Sequence, residues 1–296
     1  MNRKIILITG TSGFIGKKFL KDALSKKYYI IDILRHKNKT NRELNQIRKK
    51  FSKNYKSIFY KNYEDIKIQL KSIKADYFIN FATLYKNDHI PSEISKFVHS
   101  NILFPTIILD AIYLKTKKII NFGSMMQHMD GKDYLPMNFY ASTKSAFEMI
   151  INFYALKNRN LKFYNLKLYE SFSEDDKRSK LIPTLLKNYK KNLKTPIYSK
   201  KLELNIIHTN DIIKSIYIIL KNNIKSGSYC LKQSKNTKIF NLINKINKKL
   251  DKKIKVEFMK KKFNKLSTNK IRLLKNWKPE KNLEEKIINR FLYENY

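Results

Sequence analysis

The chain of 296 residues has one cysteine, six glycines and no long apolar run. A single cysteine, Cys230, excludes an internal disulfide and suits a reducing compartment such as the cytoplasm. Without the run of about 18 apolar residues that a bilayer requires, no membrane insertion is expected. The first residues lead directly into a strand pattern, so no signal peptide is expected. No Cys/His spacing typical of a metal site is present, and we expect no metal.

Acidic residues are also scarce, because 24 Asp and Glu face 63 Lys and Arg and the net charge is +39. Only eight of the basic residues are arginines, the residue type that forks onto guanine edges and phosphates. The lysines are spread along the chain with asparagine, isoleucine and tyrosine, which share A/T-rich codons. A base-biased genome therefore accounts for the charge. No specific nucleic-acid binding is expected, although the charge should steer anionic substrates.

Half of the scarce glycine lies within seven residues, at Gly10, Gly13 and Gly16. These glycines follow an apolar run at 5–8 and open a helical pattern at 14–26. A strand, a glycine-rich turn and a helix place a dinucleotide diphosphate on a helix N-terminus. The sequence therefore predicts a cofactor site formed by Gly10, Ser12, Gly13, Phe14, Ile15 and Gly16.

Apolar runs typical of strands alternate with helical patterns up to residue 168. The expected strands are 4–9, 29–34, 57–60, 77–80, 118–122 and 162–168, with helices near 14–26, 41–53, 64–73, 93–114 and 138–158. This alternation predicts an α/β fold with a Rossmann doubly wound parallel sheet. Later residues break the rhythm and predict a smaller C-terminal α/β substrate lobe. We expect an NADP-binding domain at 1–169, rejoined by 205–222, and a substrate lobe at 170–204 and 223–296.

The end of the second strand bears on the choice of cofactor. NAD-binding units place a carboxylate there to hold the ribose hydroxyls. This chain has Leu34 and Arg35 at that point, and Asp32 lies two residues too early, inside the strand. Because an arginine suits the 2′-phosphate of NADP, the sequence favours NADP (NADPH) over NAD, with Arg35 as a binding residue.

Tyr140 and Lys144 stand four residues apart on one face of a predicted helix. A tyrosine followed four residues later by a lysine also occurs elsewhere in the chain, so only the position of this pair relative to the predicted strands singles it out. Ser124 ends the predicted fifth strand, sixteen residues before Tyr140, at the sheet edge where α/β ligands bind. We expect Lys144 to lower the pKa of Tyr140 and orient the ribose. Tyr140 would exchange a proton with a substrate oxygen that Ser124 also binds.

Together these motifs resemble the extended short-chain dehydrogenase/reductase family, which contains NAD(P)-dependent nucleotide-sugar epimerases, dehydratases and ketoreductases. The resemblance covers nearly the whole chain. Further matching segments are residues 80–82, Asn101, residues 208–211 and residues 276–279 with 283–285. Within the family the chain is most similar to the CDP-abequose synthase type, which reduces a CDP-linked 4-keto-dideoxysugar.

The resemblance implies NADPH-dependent reduction of a nucleotide-linked 4-keto-deoxysugar for surface polysaccharide biosynthesis, by a cytoplasmic homodimer paired through the helix bearing Tyr140 and the helix near 93–114. It adds cofactor contacts at Asn62, Phe81, Ala82 and Asn101, and substrate contacts at Ser124, Met125, Tyr140, Glu170 and Lys180. Two alternatives stay open. One is an NAD(P)-dependent nucleotide-sugar 4-epimerase, and the other is a non-catalytic NADP-sensing protein.

Three departures from the family pattern qualify these expectations. Dehydratases carry an Asp-Glu pair after the catalytic hydroxyl, where this chain has Met125 and Met126, so dehydration is not expected. Glu170 replaces the asparagine of the usual motif after the sixth strand. Leu204 stands where the family has an arginine that meets the substrate diphosphate.

Overall fold

Eight parallel strands form the centre of the computed structural model, which describes residues 3–35, 41–259 and 271–293. The strands of the chain are β1 (Ile5–Thr9), β2 (Tyr29–Arg35), β3 (Tyr55–Tyr60), β4 (Tyr77–Asn80), β5 (Lys118–Ser124), β6 (Lys162–Leu168), β7 (Glu170–Phe172), β8 (Thr195–Ile197), β9 (Glu203–Leu204), β10 (Ile206–His208), β11 (Gly227–Leu231), β12 (Thr237–Lys238), β13 (Val256–Phe258) and β14 (Arg272–Leu273). The α-helices are α1 (Phe14–Ser25), α2 (Arg42–Lys50), α3 (Tyr63–Leu70), α4 (Ile94–Val98), α5 (Phe104–Ile112), α6 (Phe139–Lys157), α7 (Leu181–Lys190), α8 (Thr209–Lys221), α9 (Ile239–Asn247) and α10 (Leu283–Tyr293).

The order of the strands places a crevice at the middle of the sheet. The order is β14-β11-β6-β5-β4-β1-β2-β3, and every neighbouring pair is parallel. The chain moves outward in one direction from β1 to β3 and in the other from β4 onward. In such sheets ligands bind outside the carboxyl ends of the strands, at the point where the order reverses. That point lies between β1 and β4.

This topology confirms the predicted doubly wound α/β fold. Each expected strand up to residue 168 is present, and its bounds agree with the prediction to within two residues. One assignment differs, because β11 was expected in the C-terminal lobe and instead pairs with β6 in the central sheet. β11 therefore extends the sheet that the first six strands begin, and β14 pairs with it at the edge.

Apolar side chains form three separate clusters. One cluster covers one face of the sheet and includes residues of α1 and α8, so α8 packs against the central sheet. A second covers the opposite face and includes residues of α3, α5 and α6. The third lies apart from the sheet, among α7, α9 and α10. No helix of the described residues is long and apolar enough to cross a membrane.

A row of buried polar side chains crosses the four central strands beneath α6. Thr9 Oγ1 donates to Asn80 Oδ1 (2.7 Å), Asn80 Nδ2 to Asn121 Oδ1 (3.1 Å), and Asn121 Nδ2 to Asn165 Oδ1 (2.9 Å). These four residues are paired in register on β1, β4, β5 and β6. Because buried amides must find partners, the row stabilises one alignment of the strands against slippage.

Candidate active site

Gly10 permits two backbone segments to touch at the crevice. Its φ is +74°, and an added Cβ would lie 2.4 Å from the nitrogen of Ala82 and 2.5 Å from the carbonyl carbon of Phe81. An added Cβ on Gly16 would lie 2.4 Å from the carbonyl oxygen of Gly10. The first turn of the β1–α1 connection therefore packs directly on the loop after β4, as only glycine allows.

The N-terminus of α1 is open to an anion. Gly13 is its N-cap and supplies no side chain to the free N–H groups, and the first turn carries no acidic residue. Ser12 is exposed in the turn, and Phe14 and Ile15 begin the helix. Uncapped N–H groups and the positive end of the helix dipole favour a phosphate. The predicted cradle residues thus lie together and fit a dinucleotide diphosphate.

The carboxyl ends of β2 and β3 bear Arg35 and Asn62, and both side chains are exposed. Asn62 caps α3 by accepting a hydrogen bond from the nitrogen of Asp65 (2.9 Å). Asp32 is fully buried and accepts hydrogen bonds from Thr11 Oγ1 (2.6 Å) and Tyr55 OH (2.6 Å). Burial raises the pKa of Asp32 to about 7, although the two hydroxyl donors act in the opposite direction. Asp32 therefore supports the glycine turn from beneath instead of reaching the sheet edge.

The loop after β4 is held to α6 through Asn101. Asn101 lies in a π-helical stretch, His99–Leu103, between α4 and α5. Its side chain accepts from the nitrogen of Leu84 (2.6 Å) and donates to the Leu84 carbonyl (3.0 Å) and to Thr143 Oγ1 (2.9 Å). The predicted cofactor contact of Asn101 stays a prediction, since its amide already binds this loop.

Phe81 packs between the cradle helix and β5. Its ring lies 5.5 Å from that of Phe19 and stacks on Phe122 at 4.7 Å. The backbone nitrogen of Ala82 donates a long hydrogen bond to Thr9 Oγ1 (3.4 Å). Phe81 and Ala82 thus form the wall opposite Gly10.

Ser124, Tyr140 and Lys144 lie on β5 and on α6, a helix that packs against this strand. Ser124 is the last residue of β5, and Tyr140 and Lys144 lie in the first two turns of α6. All three side chains are buried. Ser124 Oγ accepts from the nitrogen of Met126 (3.2 Å), which leaves its hydroxyl hydrogen available to a ligand. The structure thus places the three residues on the elements that the sequence assigned to them, and their grouping into one catalytic site stays a prediction.

The environment of Tyr140 differs from the expectation that Lys144 lowers its pKa. Burial raises the pKa of the Tyr140 phenol, and the neighbouring Tyr85 hydroxyl adds to the effect. A hydrogen bond with Thr83 and the positive charge of Arg178 act in the opposite direction but do not outweigh burial. Tyr140 is consequently protonated at neutral pH in this structure.

Lys144 lies over a buried charge pair that the sequence analysis did not identify. Lys167 on β6 forms an ion pair with Glu148 on α6. Burial, together with the positive charge of Lys167, lowers the pKa of Lys144 to about 8, and the Glu148 carboxylate acts in the opposite direction. Gln127 and Ser228 also donate to Glu148, at 2.9 and 2.6 Å.

Gly123 makes room for this charge pair. An added Cβ at Gly123 would lie 2.8 Å from Cδ of Lys167 and 2.7 Å from Oε1 of Gln127. That same Gln127 oxygen accepts from the nitrogen of Ser124 (2.8 Å). The polar network therefore joins the residue that carries the hydroxyl to the helix that carries Tyr140 and Lys144.

On the substrate side, Lys180 and Glu170 lie beside the tyrosines. The Lys180 ammonium is 3.3 Å from Glu170 Oε2 and 4.2 Å from the ring centroid of Tyr85, whose ring meets that of Tyr140 edge-on at 4.9 Å. Glu170 Oε1 is buried and has no hydrogen-bond partner among the described residues. A ligand that donates a hydrogen bond would satisfy it.

The side chain of Met125 points into the core instead of the cleft. It is fully buried, and its sulfur is 3.8 Å from the sulfur of Cys230. A substrate contact of Met125 stays a prediction. Leu204 pairs with Thr237 in a small antiparallel ribbon and brings no charge to the site.

The doubly wound parallel sheet and the glycine-rich turn before α1 define a Rossmann-type dinucleotide-binding fold. The chain belongs to the NAD dependent epimerase/dehydratase family, whose model matches residues 6–231. This assignment confirms the resemblance inferred from the motifs.

Curated relatives and solved structures agree with the assignment. The chain is 28% identical to the CDP-abequose synthase of Salmonella muenchen over 231 residues, which are 77% of this chain and 74% of that protein. It is 28% identical to the CDP-abequose synthase of Yersinia pseudotuberculosis, covering 74% of each. The UDP-glucuronic acid 4-epimerase of Bacillus cereus, solved with UDP-glucuronic acid and NAD, has a similar fold with a TM-score of 0.78 at 17% identity, over 99% of this chain and 100% of that one.

We predict that Gly10→Ala destabilises the fold more than Gly13→Ala. Gly10 has a positive φ and a backbone contact that a Cβ would overlap, whereas Gly13 has a φ of −86° and only one close contact at 3.1 Å. Backbone strain alone should lower the free energy of unfolding of the Gly10 variant by about 1–3 kcal/mol. Urea unfolding followed by circular dichroism measures both, and equal losses would contradict the close approach described above.

Proposed function

We propose that this enzyme reduces a nucleotide-linked 4-keto-deoxysugar to the corresponding hydroxy sugar with NADPH, as a step in surface polysaccharide biosynthesis in the cytoplasm. The observation that supports the proposal is that Ser124 ends β5 while Tyr140 and Lys144 lie in the first two turns of α6, a helix that packs against β5. The curated relatives, both CDP-abequose synthases, support a nucleotide-sugar substrate of the CDP type.

The preference for NADPH rests on the end of β2. Arg35 is exposed there, and Asp32 is engaged with Thr11 and Tyr55 beneath the glycine turn. Arg35 would therefore bind a 2′-phosphate, while the cradle from Gly10 to Gly16 would bind the diphosphate. The Bacillus cereus structure contains NAD, so an NADH control belongs in every assay.

The chain's own residues account for the acid and orienting roles in such a reduction. NADPH, when bound, supplies hydride to the carbonyl carbon of the sugar. Tyr140 donates its phenolic proton to the carbonyl oxygen, and Ser124 donates a hydrogen bond to the same oxygen. Lys144 keeps a positive charge beneath the site and orients the ribose. Two donors placed before reaction around a developing oxyanion stabilise the transition state by several kcal/mol.

The direction of proton transfer favours reduction over epimerisation. A reductase needs Tyr140 protonated at the start, whereas an epimerase begins by removing a proton from a sugar hydroxyl. Burial raises the pKa of Tyr140 and therefore supports the acid role. Met125 and Met126 follow Ser124 and supply no carboxylate for dehydration. The buried triad also argues against a purely NADP-sensing protein, which would not need these side chains.

The substrate lobe in this proposal comprises residues 170–204 and 223–296 as the sequence predicts, apart from β11 and β14, which belong to the central sheet. The third apolar cluster lies among α7, α9 and α10 of this lobe. Glu170 and Lys180 stand where this lobe meets the Tyr140 cleft, and they would contact the sugar or its diphosphate.

The decisive experiment measures NADPH oxidation, with an NADH control, on freshly prepared CDP-, GDP- and dTDP-4-keto-6-deoxysugars. Consumption matched by hydroxy-sugar formation, with NADPH preferred, is the expected result. Tyr140→Phe should lower turnover at least about a hundredfold while leaving NADPH affinity nearly unchanged, because general acids contribute that much or more. A new sugar isomer without net cofactor consumption would instead identify an epimerase. Cofactor binding without any conversion would identify a sensor.

We predict that kcat/KM falls as the pH rises through about 8, since Lys144 loses its charge there. The Glu148 carboxylate raises the pKa of Lys144, so Glu148→Gln should move the alkaline limb to lower pH. Glu64→Gln, an exposed change on α3, is the matched control and should leave the limb in place. A limb that does not respond to Glu148→Gln would contradict the role of the charge network.

We also propose a homodimer formed by α4, α5 and α6. Met149, Phe153 and Leu156 form an apolar stripe on α6, with exposures of 56, 51 and 79%, and Ile94 and Val98 lie exposed on α4. A contiguous patch of this kind is typical of an interface.

Phe153→Glu combined with Leu156→Glu should convert the dimer to a monomer in light scattering. A carboxylate placed in an apolar interface loses its hydration when the subunits associate, and the free energy of association does not compensate for this cost. Leu193→Glu, at an exposed leucine in the turn after α7, should leave the molecular mass unchanged. A wild-type monomer would contradict the dimer outright.

A further inference from the structure

Residues 173–178, here called the strap, cross the helix that carries the glycine cradle. The strap follows β7 and precedes α7. Lys18 Nζ on α1 lies 2.6 Å from Asp175 Oδ1, and the Arg178 guanidinium lies 4.0 Å from the ring centroid of Phe14. Phe14 is the first residue of α1, directly after Gly13. The strap therefore lies against the first turns of α1, beside the N–H groups that would receive a phosphate.

Arg178 is fixed by hydrogen bonds on one side of its guanidinium. Nε donates to Asp176 Oδ1 (2.8 Å), and Nη2 donates to Asp176 Oδ2 (2.7 Å) and to the Ser171 carbonyl (2.9 Å) and hydroxyl (3.0 Å). Asp176 is fully buried. Arg290 of α10 donates to the carbonyl oxygens of Ser173 and Asp176 and anchors the strap from below.

The opposite edge of the guanidinium is unused. Nη1 of Arg178 makes no hydrogen bond among the described residues, and about a third of the side chain (32%) is exposed. An arginine held by a buried carboxylate loses little rotamer freedom when it binds an anion, and its planar fork matches phosphate oxygens. The two exposed carboxylates of the strap already have partners, because Glu174 lies 3.0 Å from His208 Nε2 and Asp175 forms an ion pair with Lys18. Within the strap, the Nη1 side of the Arg178 guanidinium is therefore the group suited to bind an anion.

Arg178 also lies on the path between the cradle and the reacting end of the cleft. Its charge is close enough to Tyr140 and Lys180 to influence the pKa of each. Lys180 contacts Tyr85, and Tyr85 contacts Tyr140. A cofactor that extends from the cradle toward Tyr140, or a nucleotide sugar that approaches Tyr140 from the lobe, would bring a diphosphate to this region.

We propose that Arg178 is a preformed diphosphate ligand of the cleft, with Nη1 donating to a diphosphate oxygen of the dinucleotide cofactor or of the nucleotide-sugar substrate. The inference rests on the proposed function, because that function places both diphosphates in the cleft. Neither the motif analysis nor the family assignment singles out this arginine.

The test compares Arg178→Gln with Lys177→Gln, a matched loss of one positive charge at the adjacent, exposed residue. Isothermal titration measures the affinity for NADPH, for adenosine 2′,5′-bisphosphate, and for CDP and CMP. UDP and dTDP with their monophosphates serve as further pairs. Because Arg178→Gln leaves Asp176 buried without its partner, the double variant Asp176→Asn/Arg178→Gln is measured as well, with thermal unfolding of each protein.

We expect both Arg178 variants to weaken binding of a diphosphate by about tenfold to a hundredfold, the usual effect of a hydrogen bond to a charged group. The matching monophosphate or bisphosphate should change less than threefold, and Lys177→Gln should change none of them. A loss confined to NADPH assigns the contact to the cofactor, and a loss confined to the nucleoside diphosphates assigns it to the substrate.

Unchanged diphosphate affinity, or equal losses for diphosphates and monophosphates, would overturn the proposal and leave Arg178 a structural residue. Wild-type protein that binds neither NADPH nor any nucleoside diphosphate would overturn the proposed function together with this inference. Failure of the Arg178 proposal alone is recognised by normal wild-type binding.

Discussion

The close packing of polar side chains between the sheet and α6 is the constraint on which the site depends. The row from Thr9 to Asn165 aligns β1, β4, β5 and β6, so the carboxyl ends of these strands lie at fixed heights. One step further along the same face, Lys167 passes over Gly123 to reach Glu148 on α6. A buried charge pair is costly to break, because removing one partner leaves an uncompensated charge. The position of α6, and with it Tyr140 and Lys144, is thereby coupled to the register of the strands.

The same packing determines what the acidic residues near the cradle can do. Asp32 lies on β2 close to the position at which a carboxylate would meet a ribose, but its side chain is buried and bonded to Thr11 and Tyr55. A carboxyl whose pKa is about 7 and which binds two hydroxyls stabilises the turn instead of selecting a cofactor. In the proposed function, selection of the cofactor would fall to the exposed end of β2, where Arg35 lies. Support of the turn and recognition of the cofactor would then be divided between two residues three positions apart.

Local patterns were sufficient for the elements of the first domain, including the strand that ends at Ser124 and the helix that carries Tyr140 and Lys144. They were sufficient because glycine spacing and apolar periodicity are properties of neighbouring residues. They failed for β11, which the sequence assigned to the C-terminal lobe. Its five residues predict a strand but not the sheet to which it belongs, because its partner β6 lies about sixty residues earlier in the chain. Glu148 and Lys167 were missed for a related reason. A glutamate on a helix and a lysine in a strand are typical of solvated surfaces, and only the tertiary structure brings them together in the interior.

The few cations of the cleft differ physically from the many on the surface. A net charge of +39 raises the local concentration of any anionic ligand, but it does not distinguish one from another. In the cleft each positive group is constrained. Lys144 is buried, which lowers its pKa to about 8, and Lys167 is paired with Glu148. Asp176 holds one side of the Arg178 guanidinium, and Nη1 on the other side makes no hydrogen bond among the described residues. Because an arginine fixed in this way offers direction as well as charge, it can recognise a diphosphate that scattered lysines only attract. Under the proposed function, specificity would therefore depend on which cations are immobilised, while the total charge would mainly affect the rate of encounter.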